Sequence, residues 1–470
     1  MKKRLLKTGI LVLITSLAAC GSVEQETADF SGSWDGSISI IGIVLDVTVT
    51  ISVDEQGIYQ GKIDIPVQSA FDLELTNIFV AGDSIRFNLP SNLGEASFAG
   101  VLISDTISGT FSQGGMDGSF ELHRVPDIAV EDIPYTASEV TIEGEDVSLA
   151  GTLTIPEGEG PFPGVILFTG SGLQDRDENI FGFRVFGELA DHLTRSGIAV
   201  LRCDDRGYGG SVGNLDDLTD SVFAGDAALM LDLMLSQQDV DPEQVGILGH
   251  SEGSTVAFMV ASWKPEDVAF VVSMAGPSIS GYQVLLGQVE TLGLQAGLTE
   301  EEVASKVEVQ REIMDIILAG NDNSELEELL RSETIESLQG LSEADLAAIG
   351  DFDAYVEGLV AQTIAQVGSD WFLNFLQHDP ADEISVVSCP VLALYGGLDV
   401  QVPPDRNLEP MQTALEDNPN AMVMVFDGAN HLFQAAVTGS VDEYATLEPE
   451  FTDGFQLTVS DWILGVTTLQ

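Results

Sequence analysis

From residue 139 to the C-terminus the chain repeats one pattern: a short, almost continuously apolar run, then a stretch that reads as an amphipathic helix. The runs are PGVILFTG, IAVLRCDD, VGILGHS, VAFVVSMAG, VLALYGG and AMVMVFDG, with stretches such as FGELADHLTRSG and PDRNLEPMQTALED between them. Strands without polar alternation have to be covered on both faces, which calls for a mostly parallel sheet with helices packed above and below. EVTIEG and SLAGTLTIP lead into this region as a hairpin. The pattern predicts an α/β domain over 139–470. One interval breaks the alternation. About 277–384 holds no good strand but several helical segments, among them EEEVASKVEVQREIMDIILAG and DAYVEGLVAQTIAQVG. An insertion there lies at the carboxyl edge of the sheet, where ligands bind in open α/β folds, and is expected to form a helical cap.

Residues 30–125 follow a different rule. SGSWDGSISI, IVLDVTVTISV, DSIRFNLP and TISGTFSQ alternate apolar and polar residues, with Gly, Asp, Asn and Ser between them. Short alternating runs in quick succession predict a small all-β barrel or sandwich. It contains no cluster of potential catalytic residues. Residues 126–138, PDIAVEDIPYTAS, read as a linker.

Charge excludes whole classes of partner. The chain has 76 acidic and 17 basic residues, a formal net charge of −59, and Lys2, Lys3, Arg4 and Lys7 sit at its extreme start. Such a surface repels phosphate backbones and anionic headgroups, so nucleic-acid binding is not expected. The acid excess is spread along the chain and reads as adaptation to salty water, where counterions screen self-repulsion. Metals and cofactors find no support either: there is no HExxH, no CxxC, no Walker loop and no GxGxxG after the first α/β strand.

The first residues, MKKRLLKTGILVLITSLAAC, have a basic head, an apolar run and a small-residue end, the three parts of a secretory signal. Leu17-Ala18-Ala19-Cys20 resembles the bacterial lipobox. That resemblance implies removal of residues 1–19, lipid on Cys20, a polar tether over 20–29, and a membrane reached through the lipid alone, with a leaning to the outer membrane. Two other cysteines remain, Cys203 and Cys389. The pattern puts them at opposite ends of parallel strands, so no disulfide is expected between them.

Gly249-His250-Ser251-Glu252-Gly253 carries the chemistry. It fits G-x-S-x-G, follows the strand VGIL and precedes the helical STVAFMVASW. The pattern needs small residues so that strand and helix can approach, and a serine on the tight turn between them. The helix N-terminus then offers free N–H groups to developing negative charge. A serine hydroxyl needs a base. Of the five histidines, His431 in FDGANHLF hangs after the last strand, where chain order Ser, acid, His puts the base. His250 flanks the nucleophile and is expected to point elsewhere. The acid is read as Asp399, after VLALYGG, with Asp405 and Glu409 as competitors on the following turn and helix. The oxyanion donors are read as the N–H groups of Glu252 and of Ser171 in TGSGL, with Gly172 as the alternative. The Glu252 side chain reads equally as a solvated helix-start carboxylate or as a modulator of the site's charge.

Together GHSEG, GSGLQDRDEN, LRCDDRGYGGS, GGLDVQVPP and GANHLF resemble bacterial serine carboxylesterases of the alpha/beta-hydrolase superfamily that carry an extra N-terminal β domain. The resemblance covers roughly 138–470, more faintly 30–125. It implies an acyl-enzyme on Ser251, hydrolysed by water that His431 activates, and small esters with short to medium acyl chains as substrates. Thioesters and small peptides or amides are open to the same triad. A binding lipoprotein that keeps only the scaffold is the rival from another class. Members usually carry His where Thr169 stands. Asp204, Asp205 and Arg206 match a family loop and read as structural.

Overall fold

A computed structural model describes residues 28–468, apart from 41–42, 54–56, 66–69, 91–94, 114–115, 126–132, 216–217, 321–322, 339–348 and 350. Residues 1–19 and Cys20 lie outside the described residues. Among the described residues no helix is long and apolar enough to cross a membrane.

The N-terminal part is one antiparallel sheet: β1 (Gly32–Ile40), β2 (Ile43–Val53), β3 (Tyr59–Ile65), β4 (Ala70–Glu74), β5 (Thr76–Ala81), β6 (Ser84–Leu89), β7 (Ala96–Ile103), β8 (Thr106–Gln113) and β9 (Met116–Arg124). Its order is β4-β3-β2-β1-β9-β8-β7-β6-β5. The two ends return toward each other: a Cβ on Gly61 of β3 would lie 3.2 Å from the Ile78 side chain of β5. The sheet is therefore a nearly closed barrel rather than a sandwich. Its period-2 alternation puts Trp34 and Ile38 inside. Cross-strand partners Phe87, Phe98 and Phe111 stack or meet edge-on within 5.1 Å between ring centroids.

The second part is built on β10 (Tyr135–Glu143), β11 (Val147–Pro156), β12 (Phe162–Phe168), a short hairpin β13 (Asn179–Ile180) and β14 (Phe183–Arg184), β15 (Ala199–Cys203), β16 (Val212–Gly213), β17 (Val240–His250), β18 (Val271–Met274), β19 (Val391–Gly396) and β20 (Ala421–Phe426). The main sheet runs β10-β11-β15-β12-β17-β18-β19-β20, with β16 beside β11. It is antiparallel at the leading hairpin and parallel from β15 to β20. β10 begins at Tyr135, inside the stretch read as linker. The polar residues there pair with β11 along the whole hairpin, so ladder bonds rather than apolar content extend the strand.

Helices cover both faces: α1 (Val185–Arg195), α2 (Asp220–Leu235) and α3 (Glu252–Trp263) come first. Between β18 and β19 the chain makes α4 (Gly281–Gln295), α5 (Glu300–Ala319), α6 (Asn323–Leu338), α7 (Phe352–Val367), α8 (Asp370–Gln377) and α9 (Ala381–Val386). These form the helical cap, with an apolar core of their own around Met314, Val356 and Leu376. α10 (Pro404–Ala414) and α11 (Phe455–Thr467) complete the layers. Cys203 and Cys389 are free thiols. Burial pushes the Cys203 thiol up to about 12, so it behaves as a small core hydrophobe.

Candidate active site

Ser251 is the turn between β17 and α3. Its backbone sits at φ 53°, ψ −121°, a region that costs a non-glycine residue about 1–3 kcal/mol. The turn is that sharp because strand and helix nearly touch. A Cβ on Gly249 would lie 2.0 Å from Gly253 O, and one on Gly253 2.3 Å from Phe168 O. Ser251 N–H donates to Met274 O (2.8 Å), and Ser251 O accepts from Ser254 N–H (2.9 Å). Strand β18 and the first turn of α3 thus hold the strained residue from both sides. Ser251 borders a cavity of about 240 Å³ between the carboxyl edge of the sheet and the cap.

His431 borders the same cavity, from the loop after β20. Asn430 shapes that loop: its side-chain oxygen accepts from Leu432 N–H (3.0 Å) and Gln434 N–H (2.9 Å). Nδ1 of His431 meets Asp399 Oδ2 at 2.7 Å. Asp399 Oδ1 in turn accepts from Gln401 N–H (2.8 Å) and Val402 N–H (2.9 Å). The carboxylate is fully occupied and buried. It therefore fixes the ring's tautomer with Nε2 free to accept a proton, and it can stabilise an imidazolium once formed. Asp405 and Glu409 lie exposed on α10 and make no contact with this imidazole. Ser251, Asp399 and His431 are thereby drawn to one edge of the sheet from three different loops.

The loop after β12 lies over Ser251: a Cβ on Gly170 would be 3.2 Å from Ser251 Cβ. Thr169 anchors it, donating its hydroxyl to Asp205 at 2.8 Å. Gln174 N–H donates to the same carboxylate at 2.8 Å. The Gly170 N–H is taken by Glu178 Oε1 (2.9 Å). Among the described residues the N–H groups of Ser171 and Glu252 donate to no acceptor, and both residues border the cavity, which Gly172 does not. Two unsatisfied amides on the wall of the cavity that Ser251 borders fit what a tetrahedral oxyanion requires. Asp204, Asp205 and Arg206 are tied into the scaffold: Arg176 forks onto Asp204 (2.9 and 2.9 Å) and Arg206 onto Asp226 (2.7 and 2.7 Å).

This is the alpha/beta-hydrolase fold. Residues 183–311 match the family described as "Serine aminopeptidase, S33". The chain is 27% identical over 349 residues to esterase EstD of Thermotoga maritima, covering 74% of this chain and 71% of the relative. Among solved structures, it is similar to an esterase of Pyrococcus furiosus (14% identity, 73% of this chain and 95% of that one, TM-score 0.43). It is also similar to the proline iminopeptidase of Mycobacterium smegmatis (16% identity, 71% of this chain and 99% of that one, TM-score 0.43).

Two features of this site are not legible from its motifs. The first is a buried His250–Glu178 pair behind this edge of the sheet. His250 does not turn away from the site: its ring lies 4.8 Å from that of His431. Nδ1 meets Glu178 Oε1 at 2.7 Å, and Nε2 meets His431 O at 3.1 Å. Both partners only accept, so both ring nitrogens donate and His250 is an imidazolium. Burial alone would lower its pKa, but the Glu178 carboxylate and the His431 carbonyl raise it above the ordinary value. Glu178 therefore holds the oxyanion loop through Gly170 and, through His250, the backbone of His431. Its place in the acidic string QDRDEN gives no hint of this, because burial follows from the fold and not from the string. The second feature is the Glu252 side chain. It is not solvated: Trp371 Nε1–H of α8 donates to it at 2.7 Å.

Proposed function

We propose that this chain is a serine hydrolase that cleaves carboxylic esters of short to medium acyl chain length. Ser251 Oγ attacks the ester carbonyl while His431 Nε2 takes its proton. Asp399 holds the imidazole, and the N–H groups of Ser171 and Glu252 receive the oxyanion. His431 then protonates the departing alkoxide, and a water deprotonated by His431 releases the acid from Ser251. The observation that carries this reading is the strained Ser251 on the edge of the cavity that also exposes His431, itself bonded to buried Asp399. Similarity to an esterase over most of both chains supports it. The amide reading draws on a match to a family described as an aminopeptidase, and the leaving group separates the two.

A fluorophosphonate probe tests the proposal. Wild type should label stoichiometrically at Ser251, and Ser251→Ala should not label. Unlabelled wild type would leave the scaffold as a binding module. A panel of ester, thioester and anilide substrates with matched acyl groups then ranks the leaving groups. We also propose that the chain is exported and lipid-anchored at Cys20. The mass of the mature N-terminus checks this, and an unmodified Met1 would overturn it.

A further inference from the structure

One carboxylate of the N-terminal barrel reaches the second part of the chain next to Glu178. Asp35 follows Trp34, which fills the barrel, so the alternation of β1 turns Asp35 outward. It is nevertheless only 8% exposed, because the short β13–β14 hairpin lies against it. Thr48, its cross-strand partner on β2, donates a hydroxyl to Oδ1 at 2.8 Å. Asn179 of β13 donates its side-chain amide to Oδ2. Asn179 Oδ1 is buried without a donor among the described residues, so the polar end of Asn179 is fixed through Asp35.

The hairpin that Asn179 opens is strained where it matters to the site. Glu178 sits at φ 50° and Phe181, at the hairpin's tip, at φ 51°. Residues with a side chain keep this left-handed conformation only where their surroundings over-determine it. The hairpin supplies little of that itself. Its ladder has two residue pairs, Asn179 opposite Arg184 and Ile180 opposite Phe183, and a ladder so short is marginal alone. Yet Glu178 must stay in place to accept from Gly170 N–H (2.9 Å) and to meet His250 (2.7 Å), and Ile180 and Phe181 wall the cavity. A brace anchored on the barrel does not move with the hairpin's own backbone, and so it can supply what the short ladder lacks.

We propose that Asp35 is a positioning residue for the active site: through Asn179 the N-terminal barrel holds Glu178 where it sets the loop after β12 and, through His250, the backbone of His431. The barrel contributes no atom to the reaction. It is a working part of the hydrolase rather than an appendage to it. This inference rests on the hydrolase reading above and adds the barrel to the machinery that reading needs.

The test measures kcat for 4-nitrophenyl butyrate per site titrated with a fluorophosphonate. That quotient counts only molecules with a competent serine, so it is insensitive to how much of a variant folds. Asp35→Ala and, from the other side of the contact, Asn179→Ala should each lower it roughly threefold to tenfold, as one hydrogen bond gives. Asp35→Asn should keep most of it, since an asparagine can accept from Asn179 through its oxygen and donate to the Thr48 hydroxyl through its nitrogen. In a Glu178→Ala background, Asp35→Ala should add a loss of less than about twofold, because the group it positions is already gone. An unchanged kcat in Asp35→Ala, an equal loss in Asp35→Asn, or the same fold-loss with and without Glu178 would each overturn the brace while leaving the hydrolase intact. A wild type that neither labels nor turns over the ester overturns the hydrolase reading and this one with it.

Discussion

At the scale of single residues the proposed mechanism separates groups that do chemistry from groups that hold them. Glu178 belongs to the second kind, and its effect is separable because it acts through a protonation state. In the wild type each ring nitrogen of His250 has an acceptor, and Glu178 and the His431 carbonyl raise its pKa against burial. The sign follows from linkage. A histidine whose folded pKa is raised contributes stability that is complete below its unfolded pKa, about 6.5, and is lost as pH rises through the higher folded value. Glu178→Gln removes the counter-charge while keeping the shape. Burial then pulls the pKa of His250 down, and at neutral pH one of its two hydrogen bonds disappears. The variant should lose kcat with little change in KM. The loss should be small at acidic pH and grow to roughly 10-fold or more on the alkaline side, about the 1–3 kcal/mol of an unmade buried hydrogen bond. The pH–rate profile of a neutral ester checks this. A loss that is uniform across pH would mean that Glu178 only fills space. That Ser251, Asp399 and His431 would meet at one sheet edge was legible because the motifs put fixed residue types at fixed ends of strands. Glu178 and Asp35 were not, since a carboxylate in an acidic chain announces nothing until its neighbours in space are known.

At the scale of elements, α3 and β17 show how closely two pieces of backbone must approach to strain one serine. The glycines of the GHSEG segment differ from other glycines in being irreplaceable for steric reasons. Gly249→Ala would drive a methyl group to 2.0 Å from the Gly253 carbonyl, and no side-chain rotation relieves a backbone contact. We expect a loss above about 3 kcal/mol, seen as a fall in Tm of roughly 10 °C together with lost activity. Gly225, exposed within α2, is the matched control: a Cβ there meets nothing within 4 Å. Gly225→Ala should raise stability by about 0.5–1 kcal/mol, the helix-propensity difference, and differential scanning calorimetry reads both. A Gly249→Ala protein that melts with the wild type would show that the segment tolerates a side chain. Elements whose signal is local were readable in advance: the apolar strands, the helix after Ser251, the cap between β18 and β19. Closure of the N-terminal sheet was not, because a barrel and a sandwich share the same alternation and differ only in whether distant strands such as β3 and β5 meet, as Gly61 and Ile78 do here. The start of β10 was missed for a related reason, since YTAS is polar and becomes strand only through pairing with β11.

At the scale of the whole molecule the dominant quantity is the net charge of −59. The structure shows where the few cations go. Arg176 pairs with Asp204, Arg184 and Arg202 with Asp177, and Arg206 with Asp226. All of these arginines lie in or beside the loops at the carboxyl edge of the sheet. Burial pushes Asp177 up, but Arg202 and Arg184 outweigh it and hold the carboxyl below its usual range. Asp175 next to it has no such partner, and burial and Asp177 push it up to about 7. With these four arginines committed inside, the molecule leaves most surface acids to be screened by counterions, and we expect it to be salt-dependent. Folding brings like charges closer than they are in the unfolded chain, so repulsion destabilises the native state most when screening is weakest. The Debye length falls from about 30 Å at 0.01 M to about 10 Å at 0.1 M and about 3 Å at 1 M, so most of the screening is complete within the first few tenths molar. Tm should therefore climb steeply over that range of NaCl and then flatten, with activity retained into molar salt. The shape discriminates the cause. Stabilisation by exclusion of salt from the protein surface would keep growing with concentration and would be far larger for sulfate than for chloride at equal ionic strength. A Tm that stays level from dilute buffer to molar NaCl would mean that the acids are too far apart to repel, and that the charge reflects composition rather than adaptation to salt.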